Sequence, residues 1–342
     1  LSDSSRFRRV FAAFALLLTF LCSNGYAKQF GIYITEGTAT KTKQFKSLIR
    51  QAKRSGLNTF VVDYSYRNRI FSRNIKLLRA NGIRYVARII VFPHGASRSQ
   101  MTNRHYWKKR FRFVTAALKN GAQEIQLDYI RYSIKNPSSR ANAPRVNRVI
   151  KWFRQHIPKN IPLQIDVFGI AAHQPSRAIG QNLKLFAPNI DAVCPMVYPS
   201  HYHPAHEYVS KPYKTIAHSL KLMHRQFNGK LPFQLYPYLE VNNFRKPFRG
   251  SKLTHYISQQ ILAAKNSHTD GYYFWSANNY YTPLFRTLRH SPGIWKQKKK
   301  MKRVRKIKKT RNTRTTRTKK NLFRIVGTTK KHTDVKTTYK FL

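Results

Sequence analysis

The sequence predicts an α/β protein of the (β/α)8 TIM-barrel class. Short runs rich in Val, Ile, Tyr and Phe alternate with amphipathic stretches from residue 30 onward. The amphipathic stretches repeatedly stop at a glycine just before the next apolar run, and eight such runs fit into about 250 residues. A doubly wound open sheet is the runner-up. It expects a glycine-rich phosphate loop after the first strand, and "YITEGTAT" offers a single glycine.

The first strand is read in "FGIYIT" (30–35). The helix after it, "TKTKQFKSLIRQAKRSG", spaces Phe45, Leu48, Ile49 and Ala52 onto one face and stops at Gly56. "TFVVDY" (59–64) is the second strand, and "NIKLLRANG" stops at Gly82 in the same way. "IRYVARIIVF" (83–92) is the third, with "YWKKRFRFVTAALKNG" ending at Gly121. "EIQLDYI" (124–130) is the fourth, and the helix "PRVNRVIKWFRQHIP" ends before Pro158, which cannot continue it. "LQIDVFG" (163–169) and "IDAVCPMVYP" (190–199) are the fifth and sixth strands. "YKTIAHSLKLMHRQFNG" ends at Gly229 ahead of the seventh, "FQLYPYLE" (233–240). "LTHYISQQILAAKNS" precedes the eighth, "GYYFWSA" (271–277).

The two ends differ in kind from this middle. Residues 1–27 read as a signal peptide: Arg6, Arg8 and Arg9, an apolar run from Val10 to Leu21, then Gly25-Tyr26-Ala27 with cleavage after Ala27. The expectation is an exported protein, periplasmic, in the cell envelope or extracellular. Lipidation at Cys22 ranks second, because Leu21 is bulky where a small residue is usual. Residues 28–292 form the barrel domain. Residues 293–342 read as a basic low-complexity tail, expected to be disordered because it lacks apolar periodicity.

Charge narrows the partners. The chain has 66 Lys and Arg against 11 Asp and Glu, a formal charge of +55, which implies attraction to polyanions. After cleavage Cys194 is the last cysteine, so no internal disulfide is expected. No Cys/His metal spacing occurs, and neither a metal nor an organic cofactor is called for.

With so few acids, their positions are informative. In a barrel the chemistry sits at the C-terminal ends of the strands. Asp63, Asp128, Asp166 and Glu240 fall late in strands two, four, five and seven, whereas Asp191 and Asp270 open strands at the opposite face. Alternation puts Glu124, Gln126 and Asp128 on one side of strand four, with Glu124 near the bottom and neutralised by a buried Lys or Arg. Two carboxylates on neighbouring strand tops suit glycoside hydrolysis, one as proton donor and one as nucleophile or base. Asp128 and Asp166 are that pair by position, with Glu240 the alternative donor. Arg131 and Arg88 are the candidates to hold the acids ionised or to orient substrate. Tyr198, Tyr202, Tyr236, Trp275 and Tyr280 are expected to ring the mouth, with His201 and Asn278 as hydrogen-bonding groups.

Four motifs in order, "EIQLDYIRY", "DVFG", "PMVYPSHY" and "YFWSANNYY", resemble a bacterial glycoside hydrolase family whose TIM barrel is distantly related to the α-amylase superfamily. The family pattern E-I-Q-x-D-Y-[IV]-R-[FY] is matched at Glu124, Ile125, Gln126, Asp128, Tyr129, Ile130, Arg131 and Tyr132. D-V-F-G is matched at Asp166 to Gly169, and M-V-Y-P-S-H-Y at Met196 to Tyr202. The resemblance spans roughly residues 29 to 290. It implies a sugar-polymer substrate and a site built on Asp128 and Asp166. The chain departs at strand seven, where W-L-Q is commoner and Tyr238-Leu239-Glu240 stands here.

The leading expectation is therefore an exported glycoside hydrolase acting on a polysaccharide, an acidic one being compatible with the charge. The alternative is a non-catalytic glycan-binding barrel attached to an anionic envelope or matrix through residues 293–342. Lys/Arg runs also bind nucleic acid without sequence preference, but the export signal argues against that as the physiological partner.

Overall fold

The structure is a computed structural model that describes residues 28–65 and 68–291. The expected signal segment, Cys22 and the basic tail lie outside the described residues. No helix among the described residues is long and apolar enough to cross a membrane.

Nine parallel strands close into a barrel of eight positions. They are β1 (Gln29–Ile34), β2 (Thr59–Asp63), β3 (Arg84–Ile90), β4 (Glu124–Asp128), β5 (Leu163–Phe168), β6 (Ala192–Met196), β7 (Gln234–Leu235), β8 (Tyr238–Glu240) and β9 (Gly271–Trp275). Each strand from β1 to β6 pairs with the next. β7 and β8 both pair with β6, and β8 and β9 carry the ladder back to β1. The seventh run, expected as one strand, is thus two pieces separated by Pro237. Proline has no N–H to give the ladder, although its carbonyl still accepts from Tyr273 N at 3.0 Å. β4 also stops earlier than its apolar run, because Tyr129 turns the chain with a φ of 52°.

Helices surround the barrel. The predicted ones appear as Thr42–Arg54, Arg69–Ala80, Arg104–Lys119, Asn142–His156, Pro212–Gln226 and Gly250–Asn266. Between β5 and β6 the crossover holds only the short helices Gly169–His173 and Leu183–Phe186 with a 3-10 turn. Gly56 and Gly82 end their helices with φ of 74° and 73°, a conformation that a Cβ disfavours. Outward strand residues such as Ile32, Phe60, Ile89, Leu127 and Ile165 pack against the helices' apolar faces in one continuous core. Each fully buried Leu, Ile or Phe there contributes about 1.5–3 kcal/mol of transfer free energy.

The barrel interior is different. Below its top it holds amides, tyrosines and Cys194 beside the small aliphatic side chains of Val61, Val86 and Ala192. Glu124 sits at the bottom as expected, paired with Arg84 at 2.8 Å and accepting from Gln29 at 2.7 Å and from Gln164. Gln164 in turn accepts from Gln126 at 3.0 Å, and Gln126 accepts from Tyr238 Oη at 2.8 Å. Tyr236, expected at the mouth, is buried at this lower level, where it bonds Gln234 and packs on Tyr273. Asp191 and Asp270 cap the bottom by accepting from Leu163 N and Leu235 N at 2.7 and 2.9 Å.

Candidate active site

Register explains why four charged groups converge at the barrel top. Asp63 is paired with Arg88 across β2 and β3. Leu127 is paired with Ile165, which sets the next residues, Asp128 and Asp166, level with each other on β4 and β5. Strands run about 4.8 Å apart, so the two carboxyl groups are immediate neighbours. Both face inward by alternation.

Arg88 organises them. Its Nε donates to Asp128 Oδ2 at 3.0 Å and lies 3.4 Å from Asp166 Oδ2, while Nη2 also bonds Asp128 and Nη1 bonds Asp63. Tyr33 Oη donates to the other oxygen of Asp63 at 2.6 Å. Burial opposes the Arg88 charge, but Asp128 and Asp63 outweigh it and hold the guanidinium protonated. One cation among three carboxylates leaves an excess of negative charge. Burial first, and then the charge of Asp128, raise the Asp166 carboxyl well above its ordinary value, against the pull of Arg88. Asp166 Oδ1 has no hydrogen-bond partner.

Above this floor opens a cavity of about 450 Å³. One wall is aromatic: Tyr198 stacks on Trp275 with centroids 5.0 Å apart, and Phe244, 55% exposed, stands 5.9 Å from Trp275. His201 packs between Tyr198 and Phe244, and burial, then Arg245, lowers its pKa to about 4, so it is a neutral hydrogen-bonding group. Tyr202 lies deeper, bonded to Ser219 at 3.0 Å, and fits because Gly169 presents no side chain toward it. An apolar wall with a few convergent polar groups suits a sugar ring, whose faces are apolar and whose edges are hydroxyls.

Eight of the twelve residues singled out from sequence line this cavity: Asp128, Asp166, Arg88, Arg131, Tyr198, His201, Tyr202 and Trp275; Tyr236 lies below it and the exposed Tyr280 outside it. Glu240 does not line it either. Its carboxylate accepts from Ser200 N at 2.8 Å, Ser200 Oγ at 2.7 Å and Tyr256 Oη at 2.6 Å, so it anchors the loop after β6 to a peripheral helix. Asn278 also lies outside, accepting from Ser276 Oγ and Tyr280 N in a local turn. Arg131 makes no ion pair with Asp128, a partner that Arg88 takes instead. Sequence reasoning missed Tyr33, Phe168, Phe244 and Arg245 as lining residues. The alternation of β1 could have found Tyr33, whereas Phe244 and Arg245 sit in an aperiodic loop. Among the described residues, no group of three or more His, Cys, Asp or Glu is arranged to hold a metal ion.

A closed parallel barrel with carboxylates and aromatics at its C-terminal mouth defines a TIM barrel built on the plan common to many enzymes. Residues 94–281, more than half the chain, match the model of a family described as "Putative glycosyl hydrolase domain", and the chain belongs to that family. No curated protein matches it in sequence. Its fold is similar to the glycoside hydrolase domain of PgaB (BpsB) from Bordetella bronchiseptica, at 13% identity and a TM-score of 0.57 over 76% of this chain and 98% of that one. It is also similar to an endo-β-1,4-mannanase from Thermotoga petrophila, at 10% identity and a TM-score of 0.57 over 78% and 77% of the two chains. A class V chitinase from Pseudomonas fluorescens gives 11% identity and a TM-score of 0.54 over 76% and 98%. At these identities the likeness is one of fold.

Proposed function

We propose that the chain hydrolyses a glycosidic bond of a polysaccharide in this cavity, with Asp166 as proton donor and Asp128 as nucleophile. The observation that carries the reading is the level pair of carboxyl groups on one guanidinium, in which burial and the charge of Asp128 raise the Asp166 carboxyl above its ordinary value. Arg88 faces Asp166 Oδ2, which favours the proton on Oδ1, the oxygen without a partner. As the C1–O bond breaks, Asp166 gives that proton to the leaving oxygen and Asp128 attacks the anomeric carbon. Arg88 stabilises the carboxylate that Asp166 becomes. Asp166 then takes a proton from the water that hydrolyses the glycosyl ester. Both Oδ2 atoms lie within 3.4 Å of Arg88 Nε. That closeness fits the separation of about 5–5.5 Å in retaining enzymes better than the roughly 6.5–9.5 Å of inverting ones.

The reading includes export, supported by the basic start and apolar run of residues 1–27, and attachment to an anionic matrix through residues 293–342. Truncation after residue 292 is expected to weaken retention on an anionic matrix and to spare turnover of soluble oligosaccharides. The test of hydrolysis is reducing-end release from a polysaccharide panel by wild type, Asp166→Asn and Asp128→Asn. A loss of about 10²–10⁴-fold in kcat for Asp166→Asn is expected, with retained anomeric configuration in the first product. Binding without release in all three proteins would instead make this a glycan-binding barrel.

A further inference from the structure

We propose that the cavity selects an acidic glycan, with Arg131 receiving a carboxylate or sulfate substituent of the bound chain and Arg245 as a second cation at the rim. This rests on the cavity being a glycan site, and it names the class of glycan.

The fold buries a cation that has no ion-pair partner among the described residues. Arg131 is 8% exposed. Its Nη1 donates to the Tyr132 carbonyl at 2.8 Å, and its Nε has no hydrogen-bond partner. Among the described residues no carboxylate stands within ion-pair distance of it; the nearest in sequence, Asp128, is bound by Arg88. Burial disfavours its charged form and outweighs the attraction of Tyr129 and Asp128, but a guanidinium does not lose its proton under ordinary conditions. A buried cation is costly unless it is paired. The open cavity that Arg131 lines is where a pairing anion can enter.

The surroundings hold this guanidinium in place. Its Cζ lies 4.6 Å from the Phe168 ring centroid and 5.3 Å from that of Tyr129, so the guanidinium sits over two aromatic faces. A side chain at Gly95 would meet Arg131 Nη1 at 2.7 Å, so the glycine makes room for the cation. Arg245, exposed on the loop over Trp275, donates Nε to the Ser200 carbonyl at 2.9 Å and likewise has no carboxylate partner among the described residues. A neutral sugar gives neither arginine a counter-charge. A uronate or a sulfate ester gives the planar fork the two-oxygen partner it matches best.

The test uses the full chain and reads binding apart from turnover. The probes are polygalacturonate with its carboxyl-reduced form, and dextran sulfate with dextran. Salt at about 0.5 M shortens the screening length to about 4 Å and suppresses attraction to the basic surface and tail. The wild type is expected to bind at least one acidic probe about tenfold or more tightly than its neutral counterpart, and the pair that responds identifies carboxylate or sulfate. Arg131→Met is expected to abolish that preference. The double variant Lys43→Ser, Lys46→Ser, on an outer helix, is expected to keep it. Wild type without a preference, or a preference that survives Arg131→Met, would overturn the inference. Should Arg131→Met fail to fold, the exposed Arg245→Ser answers: several-fold weaker binding of the acidic probe supports the site, and unchanged binding overturns it. Arg131-dependent binding with no bond cleavage by the wild type would refute hydrolysis alone. Cleavage of neutral probes only, unchanged in Arg131→Met, would refute the acidic specificity alone.

Discussion

Replacing Glu240 by Gln separates a buried structural acid from a catalytic one. Burial pushes the Glu240 carboxyl up to about 7 from an ordinary 4.5, against hydrogen bonds from Tyr256 and Ser200 that favour its anion. A carboxyl whose folded pKa lies above its unfolded one binds protons more tightly when folded. Its contribution to stability is complete below about pH 4.5 and is lost as pH rises through about 7. Each pKa unit is worth about 1.4 kcal/mol, so the loss between about pH 5 and pH 8 comes to about 2–3 kcal/mol. At 1% exposure the group needs no discount for solvent screening. Gln fills the same space, can accept from Ser200 N and Tyr256, and does not titrate. Thermal unfolding of wild type and Glu240→Gln at both pH values gives the comparison. Relative to wild type, the variant gains about 2–3 kcal/mol on going to the higher pH, each kcal/mol being worth about 2–4 °C in a domain of this size. Its kcat stays within about twofold of wild type. Parallel pH dependences in the two proteins would refute the raised pKa. Loss of turnover with an intact fold would restore Glu240 as the proton donor.

Arg88→Met leaves Asp63, Asp128 and Asp166 without their shared cation. Urea unfolding near neutral pH should show a loss of about 3–5 kcal/mol, shrinking in acid as the orphaned carboxyl groups take up protons. The alkaline limb of kcat/KM should report Asp166 and lie above the ordinary carboxyl value of 3.8, and a limb at that ordinary value would contradict a buried donor. His201→Asn should raise KM while leaving both pH limbs in place, because a histidine lowered to about 4 is already neutral where the enzyme works. Gly169→Ala would drive a Cβ into Tyr202 Oη and cost about 1–3 kcal/mol in stability through overpacking, measurable as a lower unfolding midpoint.

The barrel was legible because period-two strands and glycine-stopped helices are local signals. Asp128, Asp166 and Arg88 were legible because alternation and strand ends together place a side chain at the mouth. The same rule misplaced Glu240. Pro237 splits its strand, and the loop carrying Ser200 and the helix carrying Tyr256 claim both oxygens, which no local pattern announces. Tyr236 is two residues below Tyr238 on the inward face, and that single step moves it from the cavity to the interior. Adjacency in sequence suggested pairing Arg131 with Asp128. The turn at Tyr129 instead sends Arg131 against Phe168, while Arg88 reaches Asp128 from the neighbouring strand. Ladder neighbours 40 residues apart are set by topology and cannot be read from spacing.

The buried amides below the cavity have a direction as well as a place. Glu124, paired with Arg84, accepts from the amino group of Gln164, whose carbonyl then faces Gln126. The amino group of Gln126 faces back, and its carbonyl receives the hydroxyl proton of Tyr238. The acceptor at the foot of the barrel therefore orients the amides of Gln164 and Gln126 and, through them, the Tyr238 hydroxyl. With its proton committed to Gln126, the hydroxyl of Tyr238, a cavity-lining residue, can only accept. An acid at one end of the barrel thus sets the hydrogen-bonding character of a side chain at the other. Glu124→Gln, which can donate as well as accept, would let the whole file reverse.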